Sequence, residues 1–232
     1  MTSSTVAAAS EVFRKCYQQS EVVDFLFSME DLFNGSATDG VVTASYVHAG
    51  PNPAIFNGGG GNGGFDGSRG QITQIHEGAI SEATANINTF TFDRAVNISL
   101  QIQSINPSEF VRLHPGYTVT DSAGAGLSID PATDIATSTA NQASVVIEYQ
   151  NVTELEFLSW GTGNPNFGFN FRNFDVDAII SDEFEVVCYD DGSFARVDVQ
   201  NKTLATISQA DIDGFEPCDE SSSIALPQTL SF

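Results

Sequence analysis

The sequence predicts a mainly β protein: an antiparallel β-sandwich or jelly-roll-like domain with an N-terminal helical arm and a C-terminal β-hairpin module. Three observations predict it. Val96-Asn-Ile-Ser-Leu-Gln-Ile102 alternates apolar and polar residues with a period of two, as do Ile87–Phe92 and Phe167–Phe171. Turn signals punctuate the chain at Asn106-Pro107, Pro115-Gly116, Gly124–Gly126, Asp130-Pro131 and Gly161–Pro165. No helical period lies between them, so roughly seven to nine short strands follow one another, the pattern of a sandwich.

Residues 1–35 differ in style. Val12, Phe13, Cys16, Tyr17, Val22, Val23, Phe25, Leu26, Phe27, Leu32 and Phe33 recur at mixed steps of three and four. That spacing predicts one or two amphipathic helices over 6–33, with Ser10 as N-cap and Asn34-Gly35 as the stop. An amphipathic stripe must be buried, against its own domain or a neighbouring subunit.

Residues 36–83 read as loop and linker. One short strand is expected at Val41–Val47. The glycine-dense run Asn57–Gly70 carries no Gly-Lys-Ser/Thr and no strand–loop–helix context, so it reads as a linker and not a phosphate cradle.

The sandwich is expected over 84–181, with Phe90, Phe92, Val96, Ile98, Leu100 and Ile102 pointing inward. Val111, Leu113, Tyr117 and Val119 continue it. Ser144–Tyr149, Val152–Leu158, Phe167–Phe171 and Phe174–Ile180 supply further strands. Residues 182–232 form the C-terminal module. Phe184–Tyr189 and Phe194–Val199 flank Asp190-Asp-Gly-Ser193, a hairpin with an Asp-Gly turn. Leu204–Ile207 adds a strand. The apolar tail Ser221–Phe232 is expected to tuck onto its own domain or be donated to a neighbour.

Composition narrows the function. The chain has 232 residues, 18 Phe and 41% hydrophobic residues, enough to bury a core. Eight Lys and Arg stand against 30 Asp and Glu, a formal net charge of −22. Such a surface repels phosphate backbones and anionic membranes; it suits divalent cations, salt or a basic partner. No window is apolar enough to span a bilayer as a helix. Residues 1–10 lack a basic segment followed by an apolar one, which leads to the expectation of assembly in a cytoplasm.

No catalytic motif is present. His48, His76 and His114 stand apart, outside H-E-x-x-H and G-x-S-x-G, and each reads as a surface or hydrogen-bonded structural residue. Trp160 sits by a Gly/Asn/Pro loop, where it could stack on a sugar or end a strand in the core. Calcium is the one cofactor with a candidate ligand set: Asp190, Asp191, Asp211 and Asp213, with Asp130–Asp134 and the neighbouring Asp219 and Glu220, though no EF-hand spacing occurs. Three cysteines are too few for a disulfide framework. Cys188 and Cys218 could pair in an oxidising space, which would leave Cys16 over. No C-x-x-C suggests zinc. The sequons at Asn34, Asn97, Asn151 and Asn201 read as chance.

Two stretches carry a resemblance. Residues 87–171, from Ile87-Asn-Thr-Phe-Thr-Phe-Asp-Arg-Ala-Val-Asn-Ile-Ser-Leu to Val152-Thr-Glu-Leu-Glu-Phe-Leu-Ser-Trp-Gly-Thr-Gly, resemble β-sandwich domains of bacterial and phage surface proteins. Val186-Val-Cys-Tyr-Asp-Asp-Gly-Ser-Phe-Ala-Arg-Val-Asp-Val with Ile212-Asp-Gly-Phe-Glu-Pro-Cys218 is similar to a short module of tailed-phage virion proteins. It keeps Cys188, Asp191, Gly192, Phe194, Arg196, Asp213 and Gly214, and departs at Glu216-Pro-Cys218, where the module has a longer Thr/Pro-rich run. The resemblance implies a homo-oligomeric structural protein of the virion tail, neck or head surface, whose partners are copies of itself and other virion proteins. It implies no catalytic residue. The alternative is a secreted or cell-surface carbohydrate-binding adhesin that recognises a host glycan.

Overall fold

The structure, a computed structural model, describes residues 11–58, 70–76, 79–124, 126–161, 167–198 and 203–218. In chain order the elements are β1 (Glu11–Asp24), α1 (Met29–Phe33), β2 (Ser36–Thr38), β3 (Thr43–Ala49), β4 (Ala54–Phe56), β5 (Ile72–His76), a 3-10 turn (Glu82–Thr84), β6 (Asn86–Ile105) and β7 (Glu109–Arg112). There follow β8 (Thr118–Ala123), β9 (Leu127–Asp130), β10 (Ile135–Ser138), β11 (Ala143–Gly161), β12 (Phe167–Tyr189), β13 (Phe194–Asp198), β14 (Thr203–Ile207), α2 (Gln209–Ile212) and β15 (Glu216–Pro217). Two compact units divide the chain, Val22–Ile179 and the remainder, with the boundaries inside β1 and β12.

Val22–Ile179 is an antiparallel β-sandwich. The long strand β6 pairs with β11, β3 and β12, and β12 pairs in turn with β5. The inward alternation is as expected: Phe90, Phe92, Val96, Ile98, Leu100 and Ile102 are all buried. What local pattern divides into separate strands is continuous. Ile87–Phe92 and Val96–Ile102 are both β6; Ser144–Tyr149 and Val152–Leu158 are both β11. Bulges join them. Asn151, at φ 55°, sits in a register shift between Tyr149 and Val152 and donates its backbone N–H to Asn97. Phe90 lies within 5.4 Å of Phe171 and Phe157 within 5.1 Å of Phe171, ring centroid to ring centroid. Each ring taken from water contributes about 1.5–3 kcal/mol.

The segment 36–83, set apart by its loop-like sequence, contributes β2 to β5 to this same unit. Ile72 of β5 is fully buried. The dense glycines at 59–69 lie outside the described residues.

The remainder of the chain forms a smaller unit. β12 and β13 make the expected hairpin, with Cys188 opposite Phe194 and Gly192 at φ 81° in the turn, and β14 pairs with β13. One face buries Phe184, Val186 and Ile212, edged by Tyr17, Phe194, Ile207 and Phe215. Phe184 meets Phe215 edge-on at 4.8 Å, and the Arg196 guanidinium lies 3.7 Å above the Phe184 ring. The tail 219–232, expected to be buried somewhere, lies outside the described residues.

Two expectations are corrected. Residues 11–24 are the strand β1, not part of a helical arm; among the described residues of 1–35 helix is confined to Met29–Phe33, capped by the Ser28 hydroxyl and ended by Asn34, while Ser10 lies outside the described residues. The apolar residues of β1 do not form one buried stripe. Extended backbone lets Tyr17 and Gln18 pair with Pro217 and Glu216, a link between residues about two hundred positions apart that local periodicity cannot register. The same pairing sets the disulfide. Cys16 bonds Cys218, with Cα atoms 5.5 Å apart, and Cys188 is the free thiol. Cys188 sits on the β12–β13 hairpin, where its Sγ donates to the Tyr189 carbonyl.

Candidate functional site

Among the described residues, the acidic residues singled out from sequence do not bring three ligand atoms within reach of one ion. Asp191 accepts from the Ser193 N–H and hydroxyl at 2.9 and 2.6 Å, closing the hairpin turn. Those two bonds hold its carboxyl below the usual range. Asp211 accepts from the Ser208 hydroxyl and N–H, both at 2.7 Å, in a capping box that likewise lowers its pKa. Asp213 accepts from Gln209 at 2.8 Å. Asp130 serves the Ala132 N–H and the Thr133 hydroxyl. Turns and caps account for these carboxylates. Asp190 follows β12 in the same turn, and Asp219 and Glu220 lie outside the described residues. Among the described residues, the group with ligand atoms close enough to share a metal is Cys16, Glu183 and Cys218. Its two sulfurs are bonded to each other, so neither is a thiolate.

The histidines have separate surroundings. His114 accepts at Nδ1 from the Glu156 N–H and meets Tyr149 edge-on. His48 is half-buried, and burial lowers its pKa against an opposing hydrogen bond with Gln74. His76 is buried with Nδ1 3.4 Å from Glu109. Neither ring nitrogen of His76 nor the Ser159 hydroxyl has a hydrogen-bond partner among the described residues, so no serine–histidine relay is formed. Trp160 lies flat on Phe110 at 5.5 Å and 7°, is only 6% exposed, and offers no free face to a sugar.

A polar interior lies at one end of the sandwich. Asn86 and Asn88 occupy the inward positions of β6 that Phe90 and Phe92 continue, and Gln74 and His76 those of β5. Tyr46 donates to Asn88 at 2.7 Å, Asn88 donates to Gln74 at 3.1 Å, and Gln74 donates to the carbonyls of Pro53 and Ile75 at 3.2 and 3.0 Å. Glu109 accepts from the backbone and side chain of Asn106. Gly161 belongs here because a Cβ would press on His76 Nδ1 and the Ser108 carbonyl, at 3.2 and 3.3 Å. This network pins β5 from the inside.

The opposite face of β5 is open. Side chains alternate along a strand, so with Gln74 anchored inward, Thr73 and Ile75 turn outward, while Gln71, just before β5, is buried yet borders the same groove. Across the ladder Thr73 faces Asn170 and Ile55, and Ile75 faces Gly168. With Asn57 and Ser104 these residues line an open groove of about 390 Å³. Asn170 Oδ1 accepts from the Thr73 hydroxyl at 2.7 Å and from Gln71 Nε2 at 3.0 Å, and its Nδ2 donates to the Ser104 hydroxyl at 3.4 Å. Gly168 keeps the floor bare: a Cβ there would clash with the Gln74 carbonyl oxygen. Ser104 holds φ 68°, an uncommon conformation for a residue with a Cβ. No lining residue is charged.

Sequence reading missed this groove because Ile72 and Ile75 look like one apolar pair. They are three apart, so on a strand they face opposite ways. Gln71-Ile-Thr-Gln-Ile-His76 read with period two separates Gln71, Thr73 and Ile75 from Ile72, Gln74 and His76, and that was the available signal. No family model matches the chain, and no curated protein or solved structure is found similar to it.

Proposed function

We propose that the chain is a non-catalytic virion structural protein that assembles by surface contacts, with copies of itself and with other virion proteins, into a tail, neck or head-surface apparatus. The supporting observation is β1. It has fourteen residues and none is fully buried; Val12 and Phe13 are 62% and 49% exposed, and Leu204 of the same small unit is 51% exposed. A long strand that leaves apolar side chains in water is a template for association. The net charge of −22 supplies the repulsion that keeps such a surface from indiscriminate aggregation. The Cys16–Cys218 bond suits a particle released into an oxidising medium better than a cytosolic enzyme.

The test is light scattering coupled to size exclusion. The intact chain should associate at micromolar concentration, more readily as salt or millimolar calcium offsets its charge. The double substitution Val12→Ser with Phe13→Ser should shift it to monomer without changing its circular dichroism. An intact chain that stays monomeric in low salt, physiological salt and calcium alike defeats the reading.

A further inference from the structure

We infer that the groove across β4, β5 and β12 binds an uncharged, polyhydroxylated ligand, a neutral saccharide. The inference stands apart from the assembly reading, since a monomer would bind as well as an oligomer.

The lining chemistry carries it. Gln71, Thr73, Ser104 and Asn170 present amides and hydroxyls, groups that donate and accept at once. Vicinal sugar hydroxyls need that pairing, because each is itself both donor and acceptor. Ile55 and Ile75 provide apolar surface for the C–H face of a ring. The volume of about 390 Å³ lies within the range of small-molecule sites, about 300–1,000 Å³.

The polar groups are organised before any ligand arrives. Asn170 is fixed by Thr73, Gln71 and Ser104 together. Beneath the groove the inward Gln74 network holds β5 in place. Ser104 sits in a backbone conformation that costs energy and that the surrounding structure must enforce, a feature common where side chains are aimed at a ligand. Some hydrogen-bonding capacity remains. Among the described residues nothing donates to Gln71 Oε1, and one Nδ2 hydrogen of Asn170 is left over.

Charge selects within the class. Among the described residues that line the groove none is a cation able to neutralise a carboxylate or sulfate, and the whole molecule, at −22, repels anions. Sialylated, uronic or sulfated sugars are therefore disfavoured relative to their neutral cores.

The experiment uses the full-length chain on an immobilised array of neutral oligosaccharides built from glucose, galactose, mannose and N-acetylhexosamines, with sialylated and sulfated versions alongside. Hits are titrated calorimetrically against the intact chain, Thr73→Val and Asn170→Ala. Thr73→Val keeps a β-branched side chain in the strand and removes only the hydroxyl; unchanged thermal melts confirm folding. Binding to at least one neutral glycan, weakened tenfold or more in both variants and weaker for the acidic versions, is expected. No neutral glycan bound at millimolar concentration, equal affinity in the variants, or a preference for acidic glycans overturns the inference.

Discussion

The two compact units are held together by different means. Val22–Ile179 buries a mutually packed set of rings: Phe90 alone lies within 5.4 Å of Tyr46, Phe171 and Phe174, centroid to centroid. The smaller unit buries fewer side chains, Phe184, Val186, Val187, Ala195, Val197 and Ile212 among the described residues, and adds a disulfide, an Arg196–Phe184 stack and an ion pair from Arg14 to Glu185. A unit with fewer buried side chains gains less from burial, and a covalent staple offsets part of that. The difference teaches where stability is concentrated: spread over many interchangeable contacts in one unit, placed in a few specific links in the other.

The largest expected effect tests the spread core. Phe90→Ala removes a ring that packs on Tyr46, Phe157, Phe171 and Phe174 and leaves a cavity. It should cost about 3–5 kcal/mol in urea denaturation. A loss below about 1 kcal/mol would mean that the aromatic cluster is not what holds Val22–Ile179 together.

Removing the staple tests the other half of the comparison. Cys16→Ser with Cys218→Ser should cost about 2–4 kcal/mol. Its footprint should be local. The cysteines are 202 positions apart, but most of the intervening chain is itself folded, so the loop closed is not that of a random coil. Hydrogen exchange should accelerate in β13, β14 and α2 while the β6 and β11 amides stay protected. Uniform acceleration throughout the chain would erase the distinction between the units.

The same contrast explains what the sequence reveals. In the sandwich, burial follows a period of two, so Val96, Ile98, Leu100 and Ile102 announce their own direction. The hairpin at Asp191-Gly192 is equally local, a turn whose residues close it themselves. The smaller unit's remaining links are not local. β1 is extended because it meets β15, and Cys16 finds Cys218 for the same reason; the three-and-four spacing of its apolar residues points to a helix that tertiary pairing overrides. The groove was hidden for a third reason. Its polar residues come from β5, β12 and the end of β6, and only the register of Thr73 with Asn170 brings them together.

The smallest effect separates the units by the sign of their response to pH. In the sandwich, Asp177 has a raised pKa: partial burial penalises its charge, and Asp24 and Asp175 crowd it with further carboxylates. A carboxyl raised above its unfolded value opposes folding when ionised. The penalty is full at neutral pH and is relieved as pH falls through the raised pKa. Asp211 of the smaller unit is the reverse. Its lowered pKa means that the capping bonds to Ser208 stabilise the fold above the ordinary value of 3.8, and that this is lost as pH falls through the lowered one. Asp177→Asn should therefore raise the melting temperature at pH 7 and change little at pH 3. Asp211→Asn should lower the melt at pH 7, with the loss shrinking at the acid end. Melts of both variants at pH 3, 5 and 7 check the two signs. If Asp177→Asn instead lowers the melt at pH 7, the charge on Asp177 is stabilising and its crowding by Asp24 and Asp175 does not set the sign.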